Sequence, residues 1–238
     1  MGSAEESAFT AGRTGARRRL RTGSHAYGVL LALILTSLAF QLAVPDEGWA
    51  RVVTIVVQSV AVLVALFVSG VHPWLRRLAT VLAVVAVLAS AGVLISAGGI
   101  GHLAGRSVAL MVVGLTPIAI VYGIVQETRD AGRVTMQTMF GGLCIYLLLG
   151  MLFAFVYGII GSIAETPFFA EGDAETQANF LYFSFATQTT TGYGDLTAAT
   201  DVGRSFAITE ALIGQIYLVT VVALIVSNLG RPRPAARP

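Results

Sequence analysis

The chain has 238 residues, of which 55% are hydrophobic and 12% charged, and its formal net charge is +2. Soluble domains carry about 25% charged residues, so this composition leaves too little polar surface for a soluble fold, and so small a net charge gives no footing for nucleic acid as a partner. The single cysteine, Cys144, rules out an intrachain disulfide, and no Cys/His cluster has metal-ligand spacing.

Residues 1–26 are polar and basic, with Arg13, Arg17, Arg18, Arg19 and Arg21, and read as a cytoplasmic tail. Six apolar runs follow, near 27–44, 52–71, 78–98, 108–125, 134–160 and 206–229. Each is close to the ~20 residues that cross a bilayer. Hydrocarbon offers the backbone no hydrogen bonds, so the runs are expected to be helices despite their many β-branched residues. The connections are short and polar, such as Pro45-Asp46-Glu47, Arg76-Arg77 and Gln126-Glu127-Thr128-Arg129-Asp130. All fifteen basic residues are arginine, and with the N-terminus inside twelve of them fall on inner segments. Only Arg51, Arg106 and Arg204 fall outside, so both termini are expected in the cytoplasm. A cleaved secretory signal is the competing reading of the first run, but the run is long for one and no small-residue cleavage site follows at once.

The segment between the fifth and sixth runs is different. Residues 161–177 are polar and acidic, with Glu165, Glu171, Asp173 and Glu175. Residues 178–189 are apolar and aromatic but too short to span. They predict a re-entrant helix that returns as irregular backbone, which survives at membrane depth only when buried in protein or lining a watery cavity. The returning strand reads Thr190-Thr191-Gly192-Tyr193-Gly194-Asp195. Glycine adopts φ > 0 without a Cβ clash, so Gly192 and Gly194, two apart, allow the carbonyls of 190–193 to turn toward one axis.

This strand, with its short helix and two flanking runs, resembles the tetrameric pore-loop potassium channels, whose filter reads TVGYG and replaces the hydration shell of the ion with carbonyl rings. Thr191 stands where that filter has Val, a change that leaves the backbone carbonyl in place. The resemblance implies K⁺ bound at Thr190, Thr191, Gly192 and Tyr193, with Gly194 completing the filter. Tyr193 is expected to point away from the axis and pack on Tyr182 and Phe183. The short helix is expected to aim its negative end at the cavity, and the acids of 161–177 with Asp195 and Asp201 to form a cation-attracting mouth. The last run carries Gly214, matched to the family's bending point, with close packing of a small residue as the alternative. Gln215 and Leu218 match cavity-lining positions. Glu210 is the one carboxylate deep in a spanning run, and intramembrane ionisable residues default to function. It is expected behind the filter, bonded to the short helix or the strand. Asp195, Tyr182, Phe183 and Glu210 are thus assigned to filter support.

A voltage sensor needs arginines along its fourth helix, and run 108–125 has none. The resemblance therefore covers 134–229 and extends to 27–133 only as a helix count. The sequence predicts an all-α membrane protein with six spanning helices and a re-entrant pore helix and filter between the fifth and sixth. Its parts are a basic tail (1–26), a four-helix domain without sensor arginines (27–133), a pore domain (134–229) and a short cytoplasmic tail (230–238). It implies a homotetramer in lipid, in the bacterial plasma membrane, passing K⁺ passively without voltage gating, with no cofactor and no enzymatic activity. A weakly selective monovalent cation channel and a non-conducting sensor or scaffold are the open alternatives.

Overall fold

A computed structural model describes residues 26–44, 48–68 and 134–229, with scattered residues between 77 and 125. The basic tail, most of the third apolar run, the connections at 45–47 and 126–130, Arg106 and the tail 230–238 lie outside the described residues.

The described chain is helical. Helix α1 (Ala26–Ala43) and α2 (Gly48–Val68) form an apolar pair, and α1 also packs on α3 (Met136–Ile163). The Tyr27 amide donates to Gln137 Oε1 at 3.0 Å, fixing the start of α1 against the start of α3. A short helix α4 (Gln177–Gln188) follows, then the irregular extended segment 190–194 (the returning strand of the sequence), then α5 (Asp201–Ile216), a π-helical segment (Tyr217–Val222) and α6 (Ala223–Ser227). Among the described residues two continuous helices, Met136–Ile163 and Asp201–Ser227, are long and apolar enough to cross a membrane. Three further apolar stretches, Tyr27–Ala43, Val53–Ala65 and Thr116–Val125, fall short of that length.

The starts of α3, α4 and α5 share one device. The first amides of a helix lack intrahelical acceptors, and a threonine oxygen supplies one. Thr135 accepts from the Thr138 amide at 3.3 Å, while Thr138 Oγ1 accepts from the Thr135 amide at 3.2 Å, a reciprocal capping box. Thr176 accepts from the Asn179 amide and Thr200 from the Gly203 amide, each at 3.1 Å. The last long helix, Asp201–Ser227 (the counterpart of the inner helix in the resemblance above), therefore begins at Asp201, earlier than the apolar run at 206 announces, because a cap and an acidic first turn start a helix before its apolar face begins.

The core between α3, α4 and the loop before α4 is aromatic. Phe168 lies edge-on to Phe180 and Phe183 at centroid distances of 5.4 and 5.7 Å, and Tyr157 packs on Phe183 at 5.1 Å. Offset and edge-to-face rings at this spacing add to the area they bury. The loop itself is pinned to the far side of the strand: the Ala199 amide donates to the Phe168 carbonyl at 2.8 Å and the Ala170 amide to the Thr197 carbonyl at 3.0 Å. Both ends of the strand 190–194 are thus held.

Candidate functional site

The site grows from the end of α4. Thr189 caps the helix, and Thr190 follows with φ at +57°. The Thr190 amide donates to the Thr187 carbonyl at 2.9 Å, and the Thr191 amide to the Ala186 carbonyl at 2.8 Å. These are the two bonds of a Schellman motif, and its left-handed position is ordinarily glycine. Here a β-branched residue occupies it, at a cost of about 1–2 kcal/mol. Side chains hold it there. Thr190 Oγ1 donates to the Thr189 carbonyl at 2.7 Å, and Gln215 Nε2 of α5 donates to Thr190 Oγ1 at 3.2 Å. The Thr189 and Thr191 hydroxyls lie 2.8 Å apart.

The strand then keeps returning to the helix end. The Gly192 amide also reaches the Ala186 carbonyl, at 3.2 Å. Gly192 (φ +54°) and Gly194 (φ +81°) adopt the left-handed conformation that two glycines two apart allow. Amides 190, 191 and 192 are all spent on α4, and among the described residues the carbonyls of 190–193 accept no hydrogen bond. Carbonyl oxygens left without a protein partner are chemically able to ligate a cation.

Tyr193 stacks on Tyr182 with ring centroids 5.9 Å apart and planes 10° apart. The Tyr182 hydroxyl donates to Asp195 Oδ2 at 2.8 Å. One ring thus carries the side of the strand and its outer end. Phe183, expected on the same face, is turned away into the aromatic core with Tyr157, Phe168 and Phe169. The reason is helical geometry: adjacent residues of a helix do not share a face.

Glu210 is buried, and its carboxyl oxygens lie 2.5 Å from the hydroxyls of Ser184 in α4 and Tyr157 in α3. Gly214 is buried one turn further on. A Cβ there would lie 2.7 Å from the Gln188 carbonyl oxygen and 2.8 Å from Gln188 Cγ, so a side chain at this position collides with backbone. Close approach to α4 is therefore sufficient reason for a glycine at 214. Gln188 is itself buried and donates from Nε2 to the Tyr146 carbonyl of α3 at 2.9 Å, so the last residue of α4 is gripped between α3 and α5. Leu218 lies half-buried in the π segment, where its carbonyl accepts from the Ala223 amide.

Just below, the Tyr217 hydroxyl donates to the Gly142 carbonyl at 2.8 Å and its ring stacks on Tyr146. Ser184, Tyr157, Gln188 and Tyr217 were not singled out from the sequence. Each is a polar residue in an apolar, helical stretch, the pattern that marks a side chain with an internal partner.

On the exposed surface Glu171 accepts from both the amide and the hydroxyl of Thr197, at 3.0 and 2.6 Å. These bonds favour the ionised form and hold its carboxyl below the ordinary glutamate range. Arg204 donates from Nε to the Ala198 carbonyl at 3.0 Å and faces Asp201 across 4.0 Å in an exposed pair.

Residues 146–231, which contain α4, the strand and the inner helix, match a protein family described as "Ion channel". No curated protein matches the chain. The match to an ion-channel family supports passive ion transport, and together with the two long apolar helices it supports an integral membrane protein.

Proposed function

We propose that the chain is one subunit of a homotetrameric, potassium-selective channel, conducting passively and without a charged voltage sensor. One observation carries the reading: amides 190–192 are all bonded to the end of α4, which leaves the carbonyls of 190–193 as the free polar face of the strand. Rings of such carbonyls are the device by which potassium filters replace the hydration of the ion. One chain supplies one strand, so a ring needs several copies about an axis, in closed symmetry. The nearly bare surface of Asp201–Ser227 supports the same conclusion, since a second copy is what would cover it.

In this reading α3 and Asp201–Ser227 are the fifth and sixth of six spans, and α4 is the re-entrant pore helix. K⁺ binds at Thr190, Thr191, Gly192 and Tyr193, and Gln215 and Leu218 line the inner cavity. The bond from Gln215 to the Thr190 hydroxyl supports the placing of Gln215 at the inner end of the filter. Gly214 serves at least as the contact point with α4, and bending there is a further role the reading allows. Both termini face the cytoplasm.

Reversal potential in planar bilayers, with purified protein under K⁺/Na⁺ gradients, tests the reading. The expected value lies near the K⁺ equilibrium potential and is lost in Gly192→Ala. That substitution adds a Cβ with no atom within 4 Å in this chain, so its effect is on the left-handed backbone alone. Reversal near zero in the wild type would instead assign a weakly selective cation pore.

A further inference from the structure

Glu210 is 1% exposed, on a helix with only two other buried positions, Gly203 and Gly214. Its surroundings come from three helices. The Tyr157 hydroxyl of α3 lies 2.5 Å from Oε2, and the Ser184 hydroxyl of α4 lies 2.5 Å from Oε1. The same Ser184 oxygen lies 2.7 Å from the Gly150 carbonyl oxygen of α3. Among the described residues no basic side chain pairs with Glu210. The titratable groups that face it are two phenols of α3, Tyr157 and Tyr146.

Three oxygen–oxygen contacts at hydrogen-bond distance need three protons between them, since two lone pairs at that separation repel. Tyr157 supplies one and Ser184 supplies one. The Gly150 carbonyl supplies none. A single Ser184 hydrogen shared between Glu210 and Gly150 would make two bent, weakened bonds where both contacts are short. The third proton has one source left, the carboxyl group itself, and one position that fills every contact, Oε1. From there it is donated to Ser184 Oγ, which passes its own hydrogen to the Gly150 carbonyl, while Tyr157 donates to Oε2. A neutral acid with two hydrogen-bond partners is also far cheaper in an apolar interior than a carboxylate with no cation beside it.

We infer that Glu210 is a protonated, neutral carboxylic acid, and that the directed chain Tyr157 to Glu210 to Ser184 to the Gly150 carbonyl is a latch locking α4 between the outer and inner helices. Glu210 is a positioning residue: it acts through Ser184, fixing the helix whose end carries the strand 190–194. Its consequence for selectivity rests on the channel reading above, whereas the place of the proton does not.

Infrared difference spectroscopy on the purified full chain at neutral pH reads the proton directly, with no ion flux required. Wild type minus Glu210→Gln is expected to show the C=O stretch of a protonated carboxyl. In Ser184→Ala that band is expected to move to higher frequency, because the acid has lost its acceptor. The amide of Glu210→Gln can donate to Ser184 and accept from Tyr157, so this variant is expected to melt near the wild type. Glu210→Leu keeps neither bond, and its folded-to-unfolded ratio is expected to fall by about tenfold or more. A carboxylate band alone, a protonated band that ignores Ser184→Ala, or a Glu210→Gln variant as unstable as Glu210→Leu would each overturn the inference. A chain that carries the band and latch but passes no K⁺ would sink the channel reading and leave this one standing.

Discussion

The two long apolar helices, Met136–Ile163 and Asp201–Ser227, are near equals in length and apolarity and unequal in company. Over its most apolar window, Met136–Ile163 is 56% buried within the chain, whereas Asp201–Ser227 is 11% buried. Apolar side chains seek cover without regard to its source. Helix α3 finds it at home, in the aromatic core and against α1. Over Asp201–Ile216 the inner helix buries only Gly203, Glu210 and Gly214, two glycines and an acid; Tyr217 adds a contact with α3 beyond it, and much of the remaining apolar surface is left to lipid or other copies. The difference teaches that two similarly apolar runs can differ in what they cover, one packed inside its own chain and one left open to lipid or to another copy.

The sharpest way to break this comparison is a matched pair of truncations. Met151 of α3 is 1% exposed, and Met151→Ala is expected to cost about 2–5 kcal/mol in reversible unfolding in mixed micelles. Ile216 is 60% exposed, and Ile216→Ala is expected to change subunit unfolding by no more than about 0.5 kcal/mol. Its effect should appear in the assembly, as an oligomer that dissociates at lower temperature on native gels. Equal losses in subunit unfolding would erase the distinction.

Gly214→Ala probes one of the few places where the inner helix is held. The added methyl meets a backbone carbonyl that cannot swing aside, so a loss of about 1–3 kcal/mol is expected, with the end of α4 displaced. Wild-type melting in this variant would mean that the contact is looser than it stands here. Thr176→Ala removes the cap of α4 and is expected to cost about 1 kcal/mol, with Thr176→Asp restoring most of it; an unchanged melting curve for the alanine variant would deny the cap its role.

The smallest effect lies outside both helices. Glu171 has a lowered folded-state pKa, so its bonds to Thr197 contribute stability above the ordinary glutamate value. That stability drains away as pH falls from there through the lower folded value. The acid limb of a melting-temperature profile should flatten in Glu171→Gln, and identical limbs would count against the bond.

Much of the strand's backbone conformation was legible in advance, because glycine at 192 and 194 announces left-handed backbone by its type. The third left-handed residue was not. Thr190 looks like any β-branched residue, and its conformation is set by the end of α4 and by Gln215, twenty-five residues on. Glu210 drew notice as an acid in an apolar run, but its partners Tyr157 and Ser184 lie 53 and 26 residues away. Hydropathy could not separate α3 from the inner helix, since it reports how apolar a segment is and not what lies against it. It also missed the start of the inner helix, where a threonine cap, not an apolar residue, decides.

The π-helical segment has a consequence for how the inner helix is read as a wheel. Its wider turns take up surplus backbone within an otherwise α-helical rod. Each surplus residue moves everything after it by about 100° around the axis. Positions counted by sevens from Gly214 therefore do not stay on one stripe: the face that α5 turns toward α4 is not continued by the same count into α6. Two stretches of one helix look in different directions, and a substitution chosen in one by heptad spacing from the other will land on the wrong side.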